Sequence, residues 1–326
     1  MKVLVVGYGS MGRRRIRLLG ELLDCVEIQC VDSNSDRRQQ AAQAGIAVYE
    51  SLDAALKEKF DLAFVCTSPG YHAEIILQLV ERGISVFTEL NLTNHRYEDI
   101  IDKAKTKNVN VFMSSTLLYN KQIEKIGAVV RKSAKPLNYV YHVGQYLPDW
   151  HPWESYKDFF VGKKETNGVR EIYAVQLPWI IDIFGEIESV TAYSQRCTEL
   201  EIDFPDCITA FFCHRNGHRG TFVADVVSRK ATTYLEIIGE DLHIIWGGHN
   251  NDLFFYDTDS AVMQQFQGYD GVEHLDGYAD NIIENPYKDE IRDFLSMVMD
   301  KKKPRYSLEK DSYVLSIIDK IEGAGT

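Results

Sequence analysis

The chain has 326 residues and a formal net charge of −12, and 45% of its residues are hydrophobic against 26% that are charged. These values describe a globular chain long enough for two domains. They disfavour nucleic acid or a membrane surface as a partner, because binding to either is helped by a positive field. No apolar run approaches the ~20 residues that a membrane-spanning helix needs. The first residues enter a strand and a glycine turn directly, which is unlike a signal peptide.

The first part of the chain alternates apolar runs with helical patterns. Strands are predicted at 2–6, 26–31, 62–66, 85–88 and 110–114. Helices are predicted at 11–23, 36–44, 51–57, 71–82 and 96–107. Nearly continuous apolar strands that alternate with helices are typical of parallel strands covered on both faces. We therefore expect an N-terminal Rossmann domain with a doubly wound parallel sheet over residues 1–119.

The second part of the chain lacks this alternation. Strands are predicted at 138–147, 189–195, 207–214, 219–227, 233–239 and 243–247. Helices are predicted at 168–184, 287–299 and 308–321, and the last two are expected to pack back on the first domain or on the sheet. The pair Asn216-Gly217 between two strands is a hairpin signal. The expected fold class is therefore α/β, with a C-terminal α+β domain over residues 120–326 that is built on a mostly antiparallel open sheet.

A glycine motif, Gly7-x-Gly9-x-x-Gly12, stands between the first predicted strand and the first helix. Gly7 permits a tight turn, Gly9 lets the backbone approach a pyrophosphate, and Gly12 allows the helix to pack closely on the strand. The N–H groups and the positive dipole end of the helix favour phosphate at this place. The residues expected to bind a dinucleotide here are Gly7, Tyr8, Gly9, Ser10, Met11 and Gly12.

Asp32 ends the second predicted strand, twenty positions after Gly12. A carboxylate at this place can accept hydrogen bonds from the ribose hydroxyls of adenosine and repels a 2′-phosphate. Arg37 and Arg38 follow closely and would soften that preference, although a solvated helix face would explain them as well. We expect NAD as the cofactor, with NADP less favoured.

With the glycine turn and the segment CTSPGYHAEIILQLVERGISVFTE (66–89), the chain resembles the glucose–fructose oxidoreductase / inositol dehydrogenase / MocA (Gfo/Idh/MocA) family over essentially its whole length. In that family the loop after the fourth strand lines the nicotinamide side of the cofactor. The resemblance implies further cofactor contacts from Thr67, Ser68, Pro69, His72, Glu89 and Asn91. Without the family, His72 would be interpreted as a residue at a helix start that bonds to nearby backbone.

The segment GQYLPDWHPWESYKDFF (144–160) is similar to a subgroup of the family that is linked to surface-sugar and nucleotide-sugar biosynthesis. Its aromatic rings offer flat apolar faces for a pyranose ring, but they would equally fill a domain junction. The resemblance implies a sugar or nucleotide-sugar substrate. The substrate contacts expected are Tyr119, Asn120, Trp150, His151, Trp153, Tyr156 and Gln176.

The chain departs from the family at both positions that handle protons. Leu90 and Asn91 stand where the family has Lys and Pro, and leucine cannot exchange a proton. Glu171 and Val175 stand at the Asp and His positions of the family, four residues apart and therefore on one helical face. Dehydrogenation of a hydroxyl needs a base within hydrogen-bond reach, so that base has to be a different residue in this chain.

The catalytic candidates are Glu171, Lys121 and Tyr156, with Glu171 best placed by alignment. A buried glutamate next to Arg170 could instead form a structural ion pair, and Lys121 could be a surface residue of its helix. Two functions follow from this pattern. The first is an NAD-dependent oxidoreductase that moves a hydride to or from a sugar or nucleotide sugar. The second is a catalytically silent relative that binds a dinucleotide or sugar as a sensor or scaffold. A weaker third possibility is a non-redox reaction that uses retained NAD.

The remaining expectations concern metals, compartment and assembly. The six cysteines contain no Cys-x-x-Cys pair and the nine histidines form no metal-like pattern, so we expect free thiols, a cytoplasmic protein and no metal. An open antiparallel sheet exposes a broad face, which self-association would cover. We therefore expect a homodimer or homotetramer.

Overall fold

A computed structural model describes residues 1–150, 154–273 and 283–324. The chain divides into two compact units. The first unit consists of Met1–Ser115 and Tyr287–Ser312, and the second consists of Thr116–Pro286 and Tyr313–Thr326. Within the described residues, no helix is both long enough and apolar enough to cross a membrane.

Helices and strands alternate in the first part of the chain and segregate afterwards. The helices are α1 (Ser10–Leu22), α2 (Ser35–Gln43), α3 (Leu52–Ala55), α4 (His72–Glu81), α5 (Tyr97–Lys107), α6 (Lys121–Val130), α7 (Gly168–Phe184), α8 (Asn285–Asp300) and α9 (Leu308–Ala324). The strands are β1 (Lys2–Val6), β2 (Glu27–Val31), β3 (Ala47–Tyr49), β4 (Leu62–Val65), β5 (Ser85–Thr88), β6 (Val111–Met113), β7 (Asn138–Gly144), β8 (Ile187–Gln195), β9 (Cys207–His214), β10 (Arg219–Asp225), β11 (Thr232–Ile238), β12 (His243–Trp246), β13 (Leu253–Asp257) and β14 (Val262–Phe266).

The sheet of the first unit has the strand order β3-β2-β1-β4-β5-β6, and each neighbouring pair is parallel. The order reverses between β1 and β4, so the carboxyl ends of these two strands flank the crevice in which such sheets bind ligands. Phe64 and Phe87 stack with ring centroids 4.8 Å apart, and Phe294 of α8 meets both rings edge-on. The predicted doubly wound Rossmann sheet is confirmed.

The sheet of the second unit has the strand order β14-β13-β12-β11-β7-β10-β9-β8. The pair β7–β10 is parallel and the other pairs are antiparallel. Helix α7 packs on one face, where the Tyr173 hydroxyl donates to the carbonyl oxygens of Ile208 and Phe222 at 3.1 and 3.3 Å. The mostly antiparallel open sheet predicted from the sequence is confirmed.

Alternate residues along the strands of this sheet point away from α7. Large hydrophobic side chains exposed along these strands include Val140, Tyr193, Phe211, Tyr234 and Ile238. The outer face of the sheet is therefore a broad, partly apolar surface in the described residues.

Strands β3, β13 and β14 were not predicted from the sequence. Strand β3 is only three residues long, and two adjacent glutamines interrupt the apolar residues of the mostly exposed β14, so neither has a detectable apolar pattern. At the start of α5, Arg96 occupies the N-cap position with φ 59°, and Asn94 donates to the Ser312 hydroxyl. Ser51 caps α3, accepting from the Ala54 N–H at 3.2 Å.

Candidate active site

The glycine turn lies where β1 passes into α1. Gly7 has φ +102°, and a side-chain carbon on it would lie 2.7 Å from the Cys66 carbonyl oxygen, so only glycine fits. A side-chain carbon on Gly12 would lie 1.8 Å from the Gly7 oxygen, so the start of α1 packs directly on the turn. At Gly9 the nearest atom would be Arg37 Nη1 at 3.8 Å, which leaves the backbone accessible. These features fit the pyrophosphate of a dinucleotide.

Asp32 follows β2 and is buried. Its Oδ2 accepts a hydrogen bond from the Tyr8 N–H at 2.7 Å, and its Oδ1 accepts one from the Asn34 N–H at 2.8 Å. Arg37 Nη1 lies 4.0 Å from Oδ2, whereas Arg38 donates to the Asp32 carbonyl oxygen at 3.0 Å. A carboxylate has about four acceptor sites, so Asp32 can orient the glycine turn and still accept from ribose hydroxyls.

His72 is the first residue of α4 and is almost fully buried, with 1% of its surface exposed. Its Nε2 lies 2.8 Å from the Thr67 carbonyl oxygen, and its Nδ1 lies 2.5 Å from Asn91 Oδ1. Burial lowers the pKa of His72, and the bonds to Thr67 and Asn91 oppose that shift. His72 therefore fixes the Thr67 carbonyl and, with it, the turn through Ser68 and Pro69 that the family resemblance assigns to the nicotinamide side.

Glu89 follows β5 and is held by a fully buried arginine. Arg15 Nε donates to Glu89 Oε1 at 2.6 Å, and Arg15 Nη2 donates to Glu89 Oε2 at 3.3 Å and to Glu290 Oε2 at 2.8 Å. Burial alone would lower the pKa of Arg15, but the charges of Glu89 and Glu290 outweigh it and hold that pKa above its ordinary value. The carboxylate expected to contact the cofactor is thus fastened to the protein interior.

Arg15 and Glu290 were missed by sequence reasoning. Arg15 stands in a run of three arginines, which suggests a solvated helix face. Its spacing from Leu18 and Leu19, three and four residues later, is the signal that places it on the buried face of α1, since both leucines are buried. Glu290 has no comparable signal, because its partner Arg15 is 275 positions away.

Glu171 lies in the first turn of α7, which Asn167 caps by accepting from the Arg170 N–H at 2.8 Å. Its Oε2 is buried and has no hydrogen-bond partner among the described residues. Burial raises the pKa of Glu171 from 4.5 to about 8. Arg170, the ion-pair partner that the sequence offered, bonds to Glu322 and Asp319 instead. A buried carboxyl oxygen without a partner and a pKa of about 8 are properties that a group suited to proton transfer near neutral pH would have.

The other candidates near the start of α6 are engaged by Tyr269. The Tyr119 carbonyl oxygen accepts from the Tyr269 hydroxyl at 3.3 Å, and the exposed Lys121 places its Nζ 4.8 Å from the centre of the Tyr269 ring. Asn120 caps α6, and its Oδ1 accepts from the Gln122 N–H at 2.9 Å. Its amide nitrogen is the part of that side chain that the cap does not use.

Tyr156 lines a cleft of about 440 Å³ in the second unit. The cleft is formed by Tyr146, Tyr156, Cys197, Thr198, Glu199, Leu200, Glu201 and Arg229. The Arg229 guanidinium lies 3.6 Å from the centre of the Tyr146 ring, a cation–π contact. Two aromatic rings and a cation therefore meet in one open cleft.

The remaining substrate candidates lie apart from that cleft or outside the described residues. Trp150 is half-buried, and its indole N–H donates to the Gln145 carbonyl oxygen at 3.0 Å. Gln176 Oε1 accepts from the Tyr141 hydroxyl and the Trp179 indole N–H at 2.8 and 2.9 Å, so this oxygen is already occupied. His151 and Trp153 lie outside the described residues. No group of three or more His, Cys, Asp or Glu in residues 1–150, 154–273 and 283–324 is arranged to hold a metal ion.

Comparison with known proteins agrees with this geometry. Residues 1–115 match the model of a family described as an oxidoreductase family with an NAD-binding Rossmann fold. No curated protein matches the sequence. The matched model is that of Gfo/Idh/MocA, the family that the sequence resembles.

Solved structures share the fold across the chain at low sequence identity. An oxidoreductase from Agrobacterium radiobacter, solved with NAD⁺, L-tartaric acid and magnesium, is 13% identical with a TM-score of 0.84, covering 100% of this chain and 96% of that one. UDP-N-acetylglucosamine 3-dehydrogenase from Acidithiobacillus ferrooxidans is 17% identical with a TM-score of 0.78, covering 99% and 97%. The WlbA dehydrogenase from Bordetella pertussis, solved with NADH and UDP-GlcNAcA, is 14% identical with a TM-score of 0.78, covering 100% and 96%.

Proposed function

We propose that this protein is an NAD-dependent oxidoreductase that interconverts a hydroxyl and a ketone on a sugar or nucleotide sugar, with Glu171 as its acid/base group. The observation that carries the proposal is Glu171 Oε2, which is buried without a hydrogen-bond partner among the described residues, together with the Glu171 pKa, which burial raises to about 8. The names of two structural relatives, a UDP-N-acetylglucosamine dehydrogenase and a dehydrogenase solved with a UDP-sugar, support the substrate class.

The cofactor would be held by the first unit. The open backbone at Gly9 and the start of α1 suit the pyrophosphate, and Asp32 suits the ribose hydroxyls of NAD and disfavours the 2′-phosphate of NADP. When bound, the nicotinamide supplies or accepts the hydride. The protein contributes position and proton transfer.

Glu171 would move the proton. In the oxidation direction the carboxylate accepts the hydroxyl proton as the carbon–hydrogen bond breaks, and in reduction the neutral acid returns it. A group with a pKa of about 8 can take either form near neutral pH. Leu90 and Val175, at the Lys and His positions of the family, have no group that can do so. Lys121 and Tyr156 remain weaker candidates for the same role.

The substrate would be held by the second unit. Tyr156 in the 440 Å³ cleft and the half-buried Trp150 offer ring faces to a pyranose, and Tyr119, Asn120 and Gln176 offer polar groups. His151 and Trp153 complete the set proposed from the sequence.

Two measurements test the proposal. NADH and NADPH are titrated into the protein while energy transfer from tryptophan to the nicotinamide is followed, with Asp32→Ala as the variant expected to bind NADH more weakly. Nucleotide sugars are then screened for NAD reduction. Glu171→Gln should abolish turnover without weakening NADH binding, whereas the control Glu165→Gln, an exposed acid just before α7, should leave both unchanged. Full activity in Glu171→Gln would remove the catalytic assignment.

The second candidate function is a silent relative that binds a dinucleotide or sugar as a sensor or scaffold. It is favoured by the loss of both proton-handling positions, Leu90 and Val175, from a chain that keeps the glycine turn. Such a protein would bind its dinucleotide or sugar without turnover, and Glu171→Gln would leave that affinity largely intact. Absence of NADH binding in folded protein would make the scaffold the leading function.

We also infer that the protein self-associates and resides in the cytoplasm. The outer face of the large sheet exposes Val140, Phe211, Tyr234 and Ile238, and a second copy would cover such a surface as a dimer or tetramer. The six free cysteines suit a reducing compartment. Sedimentation at the mass of a monomer would rule out the assembly.

A further inference from the structure

An unbroken series of hydrogen bonds runs through the interior of the first unit, from Thr67 to Asp311. The Thr67 carbonyl oxygen lies 2.8 Å from His72 Nε2, and His72 Nδ1 lies 2.5 Å from Asn91 Oδ1. Asn91 Nδ2 donates to the Tyr97 hydroxyl at 2.8 Å, and that hydroxyl donates to Asp311 Oδ2 at 2.5 Å. His72, Asn91, Tyr97 and Asp311 are each at most 4% exposed. Water therefore does not compete for these bonds.

The proton count of this series constrains His72. The Thr67 carbonyl can only accept, so Nε2 must carry a hydrogen. If Nδ1 also carries one, it donates to the Asn91 oxygen, the Asn91 amide donates to Tyr97, and Tyr97 donates to an ionised Asp311. If Nδ1 is bare, the Asn91 amide turns to donate to it, and a protonated Asp311 closes the series. Both arrangements contain the same number of protons and the same Nε2–H. The Thr88 hydroxyl also lies 3.3 Å from Nδ1 and can donate to it only when Nδ1 is bare.

The series depends on a residue at which the chain departs from its family. Asn91 stands at the proline position, and a proline side chain has neither a donor nor an acceptor with which to bridge His72 and Tyr97. The other charged group near His72 is Glu89, whose negative charge is paired with Arg15. At the far end, the Tyr306 hydroxyl donates to the other oxygen of Asp311 at 2.9 Å, outside the line that leads to His72.

We propose that Asp311 is a positioning residue for the nicotinamide-side turn: acting through Tyr97 and Asn91, it fixes the hydrogen bond at His72 Nδ1 and with it the ring orientation, and the Nε2–H of the ring so placed holds the Thr67 carbonyl. This inference rests on the proposed function, since that turn matters only if a nicotinamide binds there. It assigns a role to the Asn91 substitution, which a comparison with the family pattern alone would count as a loss.

The test compares Tyr97→Phe with Tyr306→Phe in the full chain. Each variant removes one buried hydroxyl from Asp311, but only Tyr97 lies on the line to His72. The ring nitrogen signals of ¹⁵N-labelled His72 are recorded by NMR without ligand, and NADH affinity is measured separately. Tyr97→Phe should move the Nδ1 signal and weaken NADH binding about fivefold, whereas Tyr306→Phe should leave the signal in place and the affinity within about twofold.

The outcomes separate this inference from the proposed function. If Tyr97→Phe moves the His72 signal but the wild type binds no NADH, the coupling between Asp311 and His72 is supported and the proposed cofactor site is wrong. If NADH binds and both variants act alike, or neither moves the His72 signal, the positioning role of Asp311 is wrong. Should Tyr97→Phe fail to fold, Asn91→Ala interrupts the same series while leaving the Tyr97–Asp311–Tyr306 cluster intact, and the same two readouts decide.

Discussion

Two glutamates, one in each unit, have buried carboxyl oxygens and differ in whether those oxygens have a partner. Glu89 in the first unit receives two hydrogen bonds from the fully buried Arg15, which also binds Glu290. Glu171 in the second unit has a buried Oε2 without a partner among the described residues, and burial raises its pKa to about 8. The residue type is the same in both places, and the neighbourhood decides its chemistry.

This difference separates an acid suited to a structural role from one suited to proton transfer. A carboxylate paired with a buried guanidinium stays ionised, because the two opposite charges compensate each other. An unpaired buried carboxyl is held neutral until the pH reaches its raised pKa, and above that pH it is a stronger base than an ordinary carboxylate. Glu89 is therefore suited to hold the cofactor domain in shape, and Glu171 is suited to transfer a proton.

The largest expected effect comes from breaking the paired site. Arg15→Met leaves Glu89 and Glu290 buried together without a cation. Loss of one partner from a buried ion pair costs about 3–5 kcal/mol, so the free energy of unfolding in urea should fall by that amount or the protein should fail to fold. The control is Lys103→Met, which breaks an exposed pair with Glu81 and should cost ~0–1 kcal/mol. Equal effects of the two variants would mean that the Arg15 cluster stabilises the first unit no more than an exposed ion pair does.

The next effect isolates the unpaired acid through the pH dependence of stability. The unfolded chain releases the Glu171 proton above pH 4.5 and the folded protein keeps it to about pH 8. The unfolded state therefore binds fewer protons in this range, and stability falls as pH rises, by up to ~1.4 kcal/mol per pH unit. Wild type should lose about 2 kcal/mol more than Glu171→Gln between pH 5 and pH 7 in urea titrations.

The exposed acid Glu165 provides the matched control for this measurement. Glu165→Gln removes a carboxylate six residues before Glu171, and its pH profile should run parallel to that of the wild type. The unpaired state of Glu171 would be disproved by parallel profiles for wild type and Glu171→Gln.

Local patterns in the sequence predicted the features that local geometry determines. Gly7 and Gly12 are required by contacts within the turn itself, and Asp32 bonds back to the N–H of Tyr8 inside that turn. The longer strands and α7 were found by their apolar runs. Strand β3 was missed because three residues carry no period.

Features that join distant parts of the chain could not be found in this way. Arg15 meets Glu89 across 74 positions, and Tyr97 meets Asp311 across 214 positions. The sequence also offered Arg170 as an ion-pair partner of Glu171, because the two residues are adjacent. Adjacent residues on a helix point about 100° apart, and Arg170 bonds to Asp319 and Glu322 of α9. Glu171 is unpaired for that reason.

The smallest expected effect comes from giving Glu171 a partner. Val175 lies one helical turn after Glu171, on the same face, at the position where the family has histidine. Val175→His adds a hydrogen-bond donor and a partial positive charge, which should lower the pKa of Glu171 by about one unit from its value near 8. The pKa of Glu171 is obtained from the difference in stability between Val175→His and the double variant that also carries Glu171→Gln, measured as a function of pH.

The control is Val175→Leu, which adds no polar group and should leave the pKa of Glu171 near 8. An unchanged pKa in Val175→His would mean that position 175 does not face the carboxyl. A lowered pKa would bring Glu171 closer to the paired state of Glu89, and a lower pH for half-maximal sugar oxidation should accompany it.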